Sequence, residues 1–199
     1  MAKGAQYKVP FRRRRNGLTD YRKRVKMIMS GKPRMVIRKT NSYGLAQIIE
    51  AKINGDVIIV SAHTRELKKY GWKYSFKNVP AFYLLGLLIG YRALRSGVKE
   101  AILDIGLHEP SKGAKVFFSA KGAVDAGLKV PFSEEKLPSD DRIKGEHIAK
   151  YAEKLKLENQ ELYQKQFSRY LRMKILPEEI CEEFEKVRKR IIMEMGGKK

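Results

Sequence analysis

The chain has one cysteine, Cys181, in 199 residues, so no internal disulfide can form and the usage fits a reducing compartment. Histidine is nearly as scarce. His63, His108 and His147 are scattered, without metal-ligand spacing and without a nucleophile partner at an informative distance. Long apolar runs are missing too: the longest, residues 79–91, falls short of the roughly 20 residues that cross a bilayer. No membrane partner is expected. The N-terminus lacks the apolar stretch and small-residue cleavage site of a secretory signal. A basic targeting peptide would suit the lack of acids there, but Arg12, Arg13, Arg14 and Arg15 are consecutive and run straight towards a helix, so a cytoplasmic location is expected. The phosphate-loop pattern ending in Gly-Lys-Ser/Thr is absent, and residues 122–127 lack dinucleotide-fingerprint spacing.

Acidic residues are the most telling scarcity. The first forty residues hold fourteen Lys or Arg against a single acid, Asp20, which places +13 of the formal +21 in one segment. Such a density cannot enter a core, because an unpaired guanidinium loses several kcal/mol of hydration on burial. These side chains need water or a dense array of anions, and RNA phosphate is the commonest such array. Tyr7, Phe11 and Tyr21 are interleaved with the cations; aromatic rings stack on exposed bases while arginine forks onto phosphates. A solvated tail is the plain alternative. Charge does not exclude DNA, although no helix-turn-helix or finger spacing is present.

The pattern divides the chain into three parts: a basic arm and helix over 1–31, an α/β core over 32–132, and a connector with a helical C-terminal extension over 133–199. The first sixteen residues read as an extended arm. Thr19 or Asp20 caps a helix that ends near Ser30 and Gly31, with Arg22, Lys23 and Arg24 on its cationic side. Strands are predicted over 34–39, 45–53 and 57–60, the last pair joined by the turn-forming Asn54-Gly55-Asp56. Short connections make them an antiparallel meander. Helices follow over 80–94 and 116–126, separated by a central strand over 101–105, and a last strand is expected over 128–132. The order points to α/β, with a mixed sheet and packed helices. Residues 131–199 carry sixteen basic and fourteen acidic side chains, so this part suits packing or protein contacts.

Several further groups carry chemistry. Lys69, Tyr70 and Lys73 form a second cationic and aromatic cluster around Trp72, for which a core plug is the simpler role. Asn41, Ser42 and Tyr43 suit base or sugar contacts and equally suit ordinary turn chemistry. Gly86 and Gly90 match GxxxG, which in a soluble chain permits close helix–sheet packing. Asp104, Asp125, Asp140 and Asp141 would serve a metal-dependent nuclease if they converged, yet strand-end and N-cap roles explain them as well. Cys181 sits among glutamates, which disfavour a thiolate.

The blocks Tyr7 to Arg15, Thr19-Asp20-Tyr21, Lys32-Pro33-Arg34 and Gln47-Ile48-Ile49 occur in an order that resembles a known family. The same holds for residues 69–73, 101–107, 121–127 and 141–145. The chain resembles the ribosomal L-eighteen family of the large subunit, archaeal type, with L-five as the eukaryotic counterpart, over residues 1 to about 150. The resemblance implies a structural protein that binds 5S rRNA and helps attach it to large-subunit rRNA in the central protuberance. It also implies a ribonuclease-H-like strand order, no enzymatic activity, no cofactor or metal, and a neighbouring 5S-binding protein among its large-subunit partners. By that likeness Arg12 to Arg15, Tyr21, Arg22 and Arg24 form the basic RNA-binding block, to which charge and interleaved aromatics add Lys3, Tyr7, Lys8, Phe11 and Lys23. The likeness adds Arg38, Asn41 and Tyr43 on the sheet side, and the second cationic and aromatic cluster contributes Lys69, Tyr70 and Lys73 as candidates. Besides the nuclease, a general RNA chaperone is the alternative.

Overall fold

The structure, a computed structural model, describes residues 4–137 and 139–197. Near the N-terminus, Arg12–Arg15 winds into one helical turn (α1) where an extended arm was expected. Asp20 starts the next helix, Tyr21–Met29 (α2), by accepting the backbone N–H groups of Arg22 (3.0 Å) and Lys23 (3.1 Å). A carboxylate at this point satisfies orphan donors and opposes the positive end of the helix dipole.

Arg34–Lys39 (β1), Gly44–Lys52 (β2) and Gly55–His63 (β3) form the expected antiparallel meander. Ile102–Asp104 (β4) pairs in parallel with β1, which gives the order β3-β2-β1-β4. This is the mixed α/β sheet read from the sequence. Strand β4 lies at an edge of the sheet, so Asp104 is not in a central strand as expected. Residues 128–132 contribute only a parallel bridge, Glu100 to Lys129, instead of a strand. Pro131 has no backbone N–H with which to extend the ladder.

Alternation decides the two faces of β1. Met35 and Ile37 point inward and are fully buried, while Arg34, Val36 and Arg38 point to the other face. The inner face packs against Val79–Arg95 (α3) and Lys115–Asp125 (α4). Pro80 opens α3 and the Asn78 side chain caps it through Ala81 N–H at 3.0 Å. Gly86 and Gly90 face α4 rather than the sheet: a Cβ at Gly86 would overlap the Ser119 carbonyl, and one at Gly122 would overlap the Tyr83 carbonyl. The two helices therefore cross backbone to backbone.

The C-terminal part contains Asp140–Lys144 (α5), Glu146–Glu158 (α6), Gln160–Gln166 (α7), Ser168–Arg172 (α8) and Ile180–Ile191 (α9). Four residues of α9, namely Ile180, Phe184, Val187 and Ile191, are buried in the main core at the i, i+4, i+7 and i+11 spacing of one helix face. Ala152, Leu155, Tyr163 and Phe167 form a smaller cluster between α6 and α7.

Candidate nucleic-acid interface

The outer face of the sheet carries an alternating chain of charges. Arg24 on α2 donates to Asp56 Oδ1 at 2.8 Å, and Asp56 Oδ2 accepts from Arg34 at 2.8 Å. Arg34 turns its other terminal nitrogen to Asp104 Oδ2 at 3.0 Å, and Arg38 reaches Asp104 Oδ1 at 3.1 Å. Arg38 also donates to the Asp104 carbonyl, and Gly106 N–H donates to Asp104 Oδ1, each at 2.8 Å. Three guanidiniums thus share two carboxylates, and the surplus charge leaves through Arg38, whose side chain is 40% exposed. The network ties the cationic helix α2 to the sheet.

The same contacts remove the basis for a nuclease. Both Asp104 oxygens are occupied by guanidiniums, which leaves a divalent cation no lone pair free of a cationic neighbour. Asp125 sits elsewhere, accepting from Tyr83 Oη at 2.7 Å and pairing with Lys121 at 3.0 Å. It lines a cavity of about 300 Å³ with Asp140, but Lys121, Lys144 and Arg188 line that cavity too. Burial and the Asp125 hydrogen bond push the Tyr83 phenol far above its ordinary range. Asp104 and Asp125 are thus held within the fold, while Asp140 and Asp141 are exposed in the first turn of α5, where Ser139 and neither acid is the N-cap.

Most residues read from the sequence as RNA contacts are presented to solvent. Tyr7, Lys8, Phe11 and Arg12 to Arg15 are exposed, Phe11 at 89%. None of Arg12 to Arg15 has a carboxylate partner among the described residues; Arg13 Nε donates to Thr19 Oγ1 at 3.1 Å. Arg22 and Lys23 are exposed, Tyr21 half-buried, and Arg24 is engaged with Asp56. Lys3 lies outside the described residues. At the far end of β1, Asn41 is exposed and Tyr43 half-buried, its ring 5.2 Å from His63 and 5.9 Å from Phe76.

The second cluster divides. Lys69 and Lys73 are exposed, but Tyr70 is only 5% exposed and belongs to the core, so its ring offers no face to a base. Burial raises its phenol pKa, and Arg190 in the last turn of α9 donates to its carbonyl at 3.1 Å. Trp72 is the core plug, its indole N–H donating to the Ser75 carbonyl at 3.1 Å. Arg34 and Asp56 were missed. Arg34 stands four residues before Arg38, hence on the same strand face, and that spacing was the available signal; Asp56 looked like an ordinary turn residue.

Two comparisons bear on this surface. Residues 5–100 and 95–133 match the family model described as ribosomal large subunit proteins 60S L5 and 50S L18. A protein of Aeropyrum pernix called large ribosomal subunit protein uL18 is 54% identical over 192 residues, spanning 96% of this chain and 90% of that protein.

Proposed function

The chain belongs to the large-subunit ribosomal protein family of 60S L5 and 50S L18, and from that premise we propose that it binds 5S rRNA. Membership makes it a structural component of the ribosome in the cytoplasm, with rRNA and other ribosomal proteins as partners and no enzymatic role. Our finer reading is that it helps attach 5S rRNA to large-subunit rRNA in the central protuberance, beside a neighbouring 5S-binding protein.

One observation carries this proposal. An arm of four consecutive arginines, without carboxylate partners among the described residues, leads into a cationic helix that Arg24 and Asp56 clamp to the outer sheet face. Arm, α2 and Arg38 would neutralise phosphates and release counterions, and Phe11 and Tyr7 would stack on bases exposed in loops. Lys8, Tyr21, Arg22, Lys23, Asn41, Tyr43, Lys69 and Lys73 complete the proposed contact set, with Tyr70 withdrawn to the core.

The test is competition between 5S rRNA and an unrelated structured RNA of equal length at physiological salt. A preference of about tenfold or more, roughly 1.4 kcal/mol, supports specific recognition. Equal binding would point to a general RNA chaperone. Changing Arg12 to Arg15 together to Ala should reduce the log–log salt slope by about 3, from about 0.7 per phosphate contact.

A further inference from the structure

Three segments that each carry a lysine meet at one end of the sheet, and among the described residues none of these lysines has a carboxylate partner. Lys39 closes β1, Lys77 immediately precedes the Asn78 cap of α3, and Lys115 opens α4. Side-chain contacts bring these segments together. The Phe76 ring stacks on Tyr43 at 5.9 Å, which sets Lys77 beside the turn that follows Lys39. His108 Nε2 accepts the Lys39 backbone N–H at 3.2 Å, which ties the loop leading into α4 to the same strand end. Lys115 is half-buried there, and burial, then Lys77, then Lys39 hold its pKa below the ordinary lysine value.

No acid compensates them. Among the described residues, none of the three ammonium groups has a carboxylate within ion-pair distance, and Glu109 in the intervening loop pairs with none of them. Other buried or half-buried cations, Arg24, Arg34, Arg38, Arg92 and Lys121, do have carboxylate partners. A half-buried ammonium beside two like charges opposes folding unless an anion from outside the chain offsets it.

We infer that Lys39, Lys77 and Lys115 form a further phosphate-binding site, occupied by the RNA backbone as it passes Arg38 off the outer sheet face. The inference rests on the rRNA-binding proposal and adds to it residues that lie outside its contact set. RNA fits better than an acidic peptide because the half-buried rings of Tyr43, His63 and Phe76 cluster at the same end. Rings beside phosphate-binding cations suit a backbone that carries unstacked bases.

The decisive experiment is a variant with Lys39→Gln, Lys77→Gln and Lys115→Gln, compared with the full wild-type chain for 5S rRNA binding across a salt series and for thermal stability. The expected result is a log–log slope shallower by about 2 and an affinity about tenfold lower at low salt. The melting temperature should hold or rise, because like-charge repulsion is relieved. An unchanged slope with a folded variant overturns the site, and so does a weaker affinity that comes with a falling melting temperature. The Arg12 to Arg15 variant serves as the control. If that variant weakens binding and the lysine variant does not, this site alone is wrong; if wild type shows no preference for 5S rRNA, the functional proposal itself fails.

Discussion

Arg34 and Asp104 form a salt bridge across β1 and β4, Nη1 to Oδ2 at 3.0 Å, with side chains only 3% and 5% exposed. Two ions sealed from water are stable only because each is held by more than one partner. Arg34 also reaches Asp56, and Asp104 also holds Arg38 and the Gly106 N–H. One guanidinium therefore joins the edge strand, its neighbour and the β2–β3 turn.

Removing the carboxylate leaves a buried cation unpaired. Asp104→Ala should cost about 3–5 kcal/mol of unfolding free energy, read by urea denaturation. A loss under about 1 kcal/mol would mean that water compensates Arg34, and the network would not hold the sheet edge.

Asp56 offers a test by sign. Its replacement by Asn raises net charge, which on charge alone should strengthen RNA binding. Arg24, however, would lose the anchor that docks α2. At about 1 kcal/mol for a partly exposed pair, 5S rRNA binding should weaken by roughly fivefold. Tighter binding by the variant would show that α2 acts as free charge, without docking.

The C-terminal helix belongs to the core. Phe184 is 1% exposed and packs at 5.6 Å against the Tyr83 ring, so Phe184→Ala should destabilise the whole fold by about 3–5 kcal/mol. Deleting residues 156–199 should unfold the α/β part as well, visible as a lost cooperative transition. A truncated chain that melts as wild type would contradict the single core.

Acid should weaken the fold through Glu66. Burial alone would raise its pKa, but the Arg92 bond at 2.5 Å and the His63 backbone N–H outweigh it and hold the value below 4.5. A depressed carboxylate contributes stability above its unfolded pKa and loses it as pH falls through the folded value. Stability should therefore decline below about pH 4.5, and Glu66→Gln should flatten that decline. An equally steep decline in the variant would assign the acid sensitivity to other groups.

Local signals were legible wherever one residue type suffices. A cap at Thr19 or Asp20, which the structure resolves to Asp20, Pro80 at a helix start, the turn at residues 54–56 and the plug Trp72 all follow from the chemistry of single side chains. Tyr70 was not legible, because its burial depends on Arg190 and α9, more than a hundred residues away. The strand expected over 128–132 shrank to a bridge for want of a Pro131 donor, a detail that apolar patterning does not report.

Sequence by itself determined the mixed α/β architecture, the cationic N-terminus and the family, since periodicity, charge density and ordered motifs are properties of the chain. Only the tertiary structure decided which charges are spent on one another. Arg34 is held between Asp104 and Asp56, whereas among the described residues Lys39, Lys77 and Lys115 have no carboxylate partner. Pairing depends on a few ångströms between residues distant in sequence, and composition carries no such distances.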